Sequence, residues 1–232
     1  TEWKSAAPAI ATVNSEGHIL AHANGETVIT GTIDNQTIEI PVSVSGIEEI
    51  PSIEFIRDIA PVLSKAGCNM GACHAQQHGK GGFKLSVFGF DPPADREAIV
   101  RDRHQRRTNL VEPEQSLFLL KPTMQVPHGG GKRLAVGSPS YQLLTEWVRT
   151  GAAGPQKEPA KVTKLEVFPK QRVGQQGLKQ QLRIVATYAD ASTADVTAWA
   201  QYDSMDEALL DVSEDGYVTS LGAGQAPVMV RF

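Results

Sequence analysis

The sequence predicts a multidomain protein in which a mainly α-helical central domain lies between two β-sandwich segments. Apolar and polar residues alternate with period two at 36–44 and 181–188, as they do in sheets buried on one face. From about Ile53 the period changes to 3.6, which is the spacing of a helix. Residues 13–32 and 212–231 repeat each other at a fixed shift, so we expect the two ends to share one fold.

Composition narrows the possible functions. The 232 residues carry 22 basic and 26 acidic side chains and a net charge of −4, which argues against a nucleic-acid partner, because phosphate is bound by clustered positive charge. No apolar run approaches the ~18–20 residues of a membrane-spanning helix. Two cysteines are too few for a disulfide scaffold or a four-cysteine zinc ribbon. The opening Thr1-Glu2-Trp3 is neither an initiator methionine nor a signal segment, which predicts a processed protein or an excised fragment.

The terminal repeat is clearest in its glycines. At a shift of 199 the matched pairs are Val13/Val212, Gly17/Gly216, Ile19/Val218, Gly25/Gly224 and Ile29/Val228. Glycines at fixed spacing between short β-type segments indicate turns in antiparallel strands. A tryptophan precedes each copy, Trp3 and Trp199, if three residues are inserted in the second copy. His18 and His22 fall in the predicted hairpin, where we expect solvated loop residues rather than metal ligands.

The terminal segments resemble the group-2 bacterial immunoglobulin-like domain. The matching motifs lie at 164–169, 186–192, 195–199 and 212–216. The resemblance implies a partial Ig-like β-sandwich over 1–49, without its opening strands, and a second, incomplete one over 163–232, without a counterpart of Ile38–Val44. A linker over 155–162 precedes the second one. Another glycine-rich β-sandwich is the alternative, and in either case these segments would act as spacers or interaction modules.

Two helices are expected to frame the central domain. The first carries an apolar stripe and ends at a glycine: Ile53, Ile56, Ile59 or Ala60, Leu63, then Gly67. The second begins with Ser138 as N-cap and Pro139 at its first position, and it ends at Gly151. Its apolar positions are Tyr141, Leu144, Trp147 and Val148. The loop-rich stretch between the helices predicts a thin core that another group fills.

The chemistry is expected at the segment Cys68-Asn69-Met70-Gly71-Ala72-Cys73-His74. Two thiols followed directly by a histidine can attach a haem: each thiol forms a thioether with a vinyl group, and the imidazole binds the iron. The usual spacer between the cysteines is two residues, and here it is four. Three alternatives stay open: a redox disulfide, half of a zinc site completed by His74 and His78, and inert core thiols.

Residues 54–153 resemble the cytochrome c domain of the large planctomycetal cytochromes, in which a haem domain lies between group-2 Ig-like domains. The matching motifs lie at 66–74, 79–92, 106–107, 113–117, 120–133 and 137–147. The resemblance implies a monohaem domain over 50–154 with one haem c, attached through Cys68 and Cys73 and bound by His74. Helices 53–66 and 139–150 would then be the crossed terminal helices of a class I-like cytochrome c domain.

The distal side of the iron has two candidate ligands in one loop, His128 and Met124. Pro127 fixes the approach of this loop, and the three glycines that follow His128 let the backbone pass close to a flat ligand. The resembled family keeps the Pro-His-Gly-Gly-Gly run, so His128 is favoured, with Met124 or an open position as alternatives. Other basic residues could pair with haem propionates or form a solvated face, namely His78, His104, Lys132, Arg133 and the five arginines between 96 and 107.

These observations predict a protein that transfers single electrons within or between extracytoplasmic proteins, and an electron-transfer protein rather than an enzyme. The redox partner is not identified by the sequence. The extracytoplasmic location follows from covalent haem attachment, which takes place outside the cytoplasm. Two other functions stay open: an Ig-like binding or adhesion module with a structural centre, and a haem-based peroxidase or gas sensor.

Overall fold

The computed structural model describes residues 2–15, 17, 19–34, 36–47, 53–159 and 161–232. The chain divides into two compact units, residues 1–52 and 53–232. His18, one of the two hairpin histidines, lies outside the described residues.

The described residues of the first unit form five strands, three short ones and two of nine residues. They are β1 (Glu2–Ser5), β2 (Ala11–Val13), β3 (Ile19–Ala21), β4 (Gly25–Ile33) and β5 (Gln36–Val44). Strands β1, β4 and β5 form an antiparallel sheet in that order, and β2 and β3 form a hairpin. Ala11 and Ile29 are fully buried between them. His22 is exposed in this hairpin, with Nε2 2.8 Å from the hydroxyl of Thr12.

The second unit ends in eight strands. They are β6 (Val162–Phe168), β7 (Lys179–Gln181), β8 (Arg183–Tyr188), β9 (Thr193–Asp195), β10 (Gln201–Ser204), β11 (Leu210–Val212), β12 (Tyr217–Ser220) and β13 (Val228–Arg231). Their sheets have the orders β6-β8-β9, β11-β12-β7 and β10-β13. Alternate residues of β8 point into a shared core, where Ile184 and Ala186 are fully buried. The period-two prediction for 181–188 is therefore confirmed.

The terminal repeat is confirmed at the level of strand register. Glu2 pairs with Thr32 in the first unit, and Gln201 pairs with Arg231 in the second. Each residue of the second pair lies 199 positions after its counterpart in the first pair, which is the predicted shift. The hairpins repeat in the same way, because the β2–β3 pairs and the β11–β12 pairs also differ by 199 at every position.

One part of the predicted alignment is wrong. Without any insertion, Trp3 corresponds to Tyr202 rather than to Trp199, because these residues occupy the same position in β1 and β10. The glycine contacts agree: a Cβ atom on Gly17 would lie 3.3 Å from the Trp3 ring, and one on Gly216 would lie 2.6 Å from the Tyr202 ring. Trp199 lies in the turn before β10 and packs into the core instead.

The central segment holds four α-helices among the described residues: α1 (Ala60–Lys65), α2 (Pro92–Val100), α3 (Leu117–Leu120) and α4 (Pro139–Arg149). Helix α4 begins as predicted, since the Ser138 hydroxyl accepts a hydrogen bond from the backbone N–H of Tyr141 and Pro139 takes the first helical position. A π-helical turn, Phe55–Ile59, leads into α1. The Phe55 ring packs against Trp147 with ring centroids 5.6 Å apart, which joins the two ends of the segment.

The predicted fold class, a mainly α class I-like cytochrome c domain between β-sandwich segments, is wrong. The structure contains more strand than helix, 29% against 18%. The helix predicted over 53–66 is a short one with a π-helical start. Ile59 and Leu63 of the predicted stripe are buried, but Phe55 and Val62 are the other buried residues, while Ile53 and Ile56 are half-buried. Glycines in the left-handed region at Gly67, Gly79 and Gly89 then keep the chain in turns instead of continuing a helix.

The central segment and the C-terminal strands share one core. Trp199 packs against both buried clusters, the helical one around Trp147 and the β one around Ile184. The ammonium group of Lys65, at the end of α1, donates hydrogen bonds to the backbone carbonyls of Ala200 and Glu214. Residues 53–232 are therefore one body in which helix α1 has a fixed relation to the last strands.

Candidate functional site

The segment from Cys68 to His74 closes into a compact loop. The backbone N–H of His74 donates to the carbonyl of Cys68 over 3.1 Å, and the N–H of Cys73 donates to the carbonyl of Met70 over 2.9 Å. The four spacer residues therefore bulge outward while the two ends of the motif approach each other. Both cysteines and both candidate histidines, His74 and His128, line one small recess.

The His74 side chain is held by the backbone. Its Nδ1 lies 3.1 Å from the carbonyl oxygen of Phe83, which can only accept, so Nδ1 carries the proton and Nε2 keeps its lone pair for a ligand. Burial lowers the pKa of His74; the backbone groups of Phe83 and Lys80 raise it, and nearby His128 and Arg107 lower it further. The lowered pKa favours the neutral imidazole, the form that binds a metal.

The His128 side chain is held in the same manner. Its Nδ1 lies 2.8 Å from the carbonyl oxygen of Gly131, three residues later in the same loop. The guanidinium Nε of Arg133 donates to the carbonyl of Gly130 and ties the loop down. In both histidines, a backbone carbonyl accepts the Nδ1 proton and so fixes the tautomer in which Nε2 is unprotonated. The lone pair of Nε2 is then free to bind a metal ion, an arrangement typical of metal-binding histidines.

The two imidazoles face a common space. The ring centroids of His74 and His128 are 6.2 Å apart and their planes differ by 17°. Because an imidazole nitrogen binds a metal at about 2 Å, two such rings on opposite sides of one ion have centroids roughly 6 Å apart. The separation is too large for direct stacking and matches the spacing that two such rings would have.

A cavity of about 470 Å³ opens beside the two histidines. Its apolar lining consists of Leu63, Phe83, Leu85, Leu117, Phe118 and Pro122. Its cationic lining consists of Lys80, Arg103, Arg106, Arg107 and Lys121, and the described lining residues include no acidic side chain. Apolar walls with a positive rim suit a flat hydrophobic ligand that carries negative groups at one edge.

The Cys68 thiol is neutral in this environment. Burial raises its pKa to about 11, the nearby Cys73 adds to the increase, and Arg133 opposes it. A protonated thiol is a poor metal ligand and a slow nucleophile in disulfide exchange. Among the residues that the structure describes, no group of three or more His, Cys, Asp or Glu side chains is placed to hold a metal ion. The donor set is therefore two imidazoles and two separate thiols, which fits a haem c better than zinc.

The remaining predicted residues are divided between the site and the surface around it. Met124 is 47% exposed, with a backbone φ of 62°, and it does not line the cavity. His78 and His104 are exposed and do not line it either. Of the five arginines between 96 and 107, three reach the cavity: Arg103, Arg106 and Arg107.

Sequence reasoning missed the roles of Phe83 and Gly130. Phe83 lies within the stretch that resembles the cytochromes, but a backbone carbonyl that holds a histidine has no side-chain signature. The sequence predicts that Gly130 lets the backbone pass close to a flat ligand, whereas in the structure a Cβ atom there would lie 2.8 Å from Cε1 of His128. That contact depends on the folded loop, so residue type alone does not reveal it.

No protein-family model matches the chain, and a search of curated proteins finds no significant match. None of the helices formed by the described residues is both long and apolar enough to cross a lipid bilayer. The function of the protein is therefore inferred from the geometry of the site.

Proposed function

We propose that this protein binds one haem c, that Cys68 and Cys73 would attach it, that His74 and His128 would hold its iron, and that the protein transfers single electrons. The observation that carries the proposal is the pair of nearly parallel imidazoles, 6.2 Å apart, beside the two thiols. When bound, haem supplies a one-electron iron couple that no protein side chain at this site provides.

The residues of the chain have separate tasks in this function. Cys68 and Cys73 anchor the group, while the carbonyls of Phe83 and Gly131 orient the imidazoles of His74 and His128. The apolar walls of the cavity would exclude water from the haem. The exposed side chains of Arg103 and Arg106 would offer positive charge to the propionate carboxylates of the haem. If His74 and His128 both held the iron, the site would favour electron transfer over the binding of small molecules.

The location and partner follow from the same proposal. Covalent haem attachment takes place outside the cytoplasm, so the protein would act in an extracytoplasmic compartment with another redox protein as its partner. Adhesion by the Ig-like strands, and peroxidase or gas-sensing activity, would each be favoured by a different outcome of the experiments below.

Covalent attachment is the first test. The chain is exported to a bacterial periplasm together with a haem-attachment system, and the purified protein is examined by mass spectrometry and acid-acetone extraction. We expect a red protein whose mass includes one haem that extraction does not remove. The Cys68→Ala/Cys73→Ala double variant should lose the attached haem, while His78→Ala, which changes an exposed histidine four residues from His74, should keep it. A colourless wild-type protein would contradict the proposal and favour the adhesion module.

Axial ligation is the second test. We expect His128→Ala to lose the low-spin spectrum and to gain a site for added cyanide or carbon monoxide. Met124→Leu should change neither, since Met124 does not line the cavity. A wild-type oxidised spectrum with the weak far-red band of methionine ligation would assign the distal position to Met124. A high-spin wild-type spectrum would instead show an open position and favour a peroxidase or gas sensor.

A further inference from the structure

Arg107 differs from the other arginines at the cavity because its guanidinium group already has protein partners. One terminal nitrogen donates to the carbonyl of Ala98 and to the carboxylate of Asp102, each over 2.9 Å. The other donates to the carbonyl of Gly82 over 3.2 Å. The Arg107 side chain is 11% exposed. Arg103 and Arg106 are exposed, so the two kinds of arginine have different roles at one cavity.

The same guanidinium group lies over the ring of Phe83, 4.6 Å from its centroid. Phe83 in turn packs against His74, with ring centroids 4.5 Å apart, and its carbonyl oxygen accepts the Nδ1 proton of His74. Arg107 therefore holds Phe83 both at its ring and through the neighbouring carbonyl of Gly82. Phe83 holds His74 both at its ring and through its own carbonyl.

We propose that Arg107 is a positioning residue for His74, which acts through Phe83, and that its fixed charge raises the reduction potential of the bound haem. This inference rests on the proposed haem function. The oxidised iron carries one more positive charge than the reduced iron, so a nearby guanidinium destabilises the oxidised form more. Charge and orientation are thus two separable effects of one side chain.

The test uses the haem-loaded protein and two measurements. The first is the midpoint potential, and the second is the exchange rate of the His74 Nδ1 proton in the reduced protein, measured by NMR. Arg107→Gln should lower the potential and speed the exchange. Arg107→Lys keeps the charge but loses the planar fork, so it should retain most of the potential while the exchange is still faster.

The matched control is Arg101→Gln. Arg101 lies six residues before Arg107 in the sequence, does not line the cavity, and pairs with Glu97, so this variant removes the same charge from a different place. It should leave the exchange rate unchanged and shift the potential less. Phe83→Leu keeps the carbonyl but removes the ring. If Arg107 acts through Phe83, adding Arg107→Gln to Phe83→Leu should change the exchange rate less than it does in the wild type.

Each outcome decides the inference. If Arg107→Gln behaves like Arg101→Gln in both measurements, the inference is wrong. If Arg107→Gln fails to fold, Asp102→Asn serves instead: it removes an exposed partner of Arg107 and should raise the potential and speed the exchange, and no change in either would overturn the inference. A wild-type protein that takes up no haem refutes the proposed function itself, which is a different result.

Discussion

A Cβ atom on Gly130 would lie 2.8 Å from Cε1 of His128, closer than real Cβ contacts allow. Glycine is therefore required here for space, since Gly130 is not one of the residues with a positive φ. We expect Gly130→Ala to push the His128 imidazole out of position and to convert a large part of the haem from low spin to high spin. Absorption and electron paramagnetic resonance spectra measure this conversion.

Gly129→Ala is the control for that substitution. Its Cβ atom would meet only the side chain of Lys80, at an ordinary 3.9 Å. It should keep the low-spin spectrum of the wild type. Equal effects from both substitutions would show that the loop tolerates no side chain at all and would remove the specific role assigned to Gly130.

Gly79 packs against the Phe83 carbonyl that holds His74. A Cβ atom there would overlap the carbonyl oxygen of Phe83, and its φ of 67° is unfavourable for other residues. Gly79→Ala should therefore destabilise the protein by about 2–4 kcal/mol and weaken the hold on His74. Gly81→Ala, with a φ of 65° and open space around its Cβ position, should cost only about 1 kcal/mol. Urea unfolding of both variants gives the difference.

The buried thiol of Cys68 should make the free energy of unfolding of the haem-free protein fall at alkaline pH. Burial raises the pKa of this thiol from its ordinary 9.0 to about 11, so the folded state holds the proton more tightly than the unfolded state does. The resulting stabilisation is complete below pH ~9 and is lost as the pH rises to about 11, by roughly 2–3 kcal/mol.

Urea unfolding between pH 8 and pH 11, under reducing conditions, measures this loss. Comparison with Cys68→Ala isolates it from the titration of other groups, because the variant has no thiol at this position. Attachment of haem converts the thiol to a thioether, so the loaded protein should show the same pH profile as the variant. A haem-free wild type that follows the variant throughout would contradict the assigned burial.

Trp199 predicts that residues 53–232 unfold together. Because Trp199 packs against both buried clusters, Trp199→Ala should destabilise the helical segment and the strands at once, by ~3 kcal/mol. Trp199→Phe should cost much less, since the indole Nε1 is buried without a hydrogen-bond partner. Calorimetry and circular dichroism follow both transitions. Two separate transitions for the helices and the C-terminal strands would refute the shared core.

The structure brings together four residues that the sequence singled out, Cys68, Cys73, His74 and His128, although the predicted fold class is wrong. Cys68, Cys73 and His74 are neighbours along the chain, so their chemistry is visible in a short motif. His128 lies far away in sequence, and the resemblance to the large cytochromes placed it in the site. The supporting contacts of Phe83 and Arg107 could not be predicted, because they depend on backbone carbonyls and on turns that only the folded chain brings together.

The prediction of the fold class is wrong because of a local feature of the chain. An apolar stripe with the period of a helix predicts burial on one side, but it does not predict how long the helix is. Here the segment begins as a π-helical turn, and α1 ends at Lys65, before Gly67 adopts a φ of 71°. The terminal repeat was easier to predict, since glycines at turns recur at the same shift. The predicted match of Trp3 with Trp199 is wrong because identity of residue type does not fix strand position, and Tyr202 holds the equivalent position in β10.

The hydrogen bonds of Lys65 give the C-terminal strands a mechanical connection to the loop from Cys68 to His74. Lys65 lies three residues before Cys68, and its ammonium group donates hydrogen bonds to the carbonyls of Ala200 and Glu214. Tension applied to the final strands would therefore reach Cys68 through one short helix end rather than through the long central segment. In the haem-bound form that we propose, such tension would act directly on a residue that holds the cofactor.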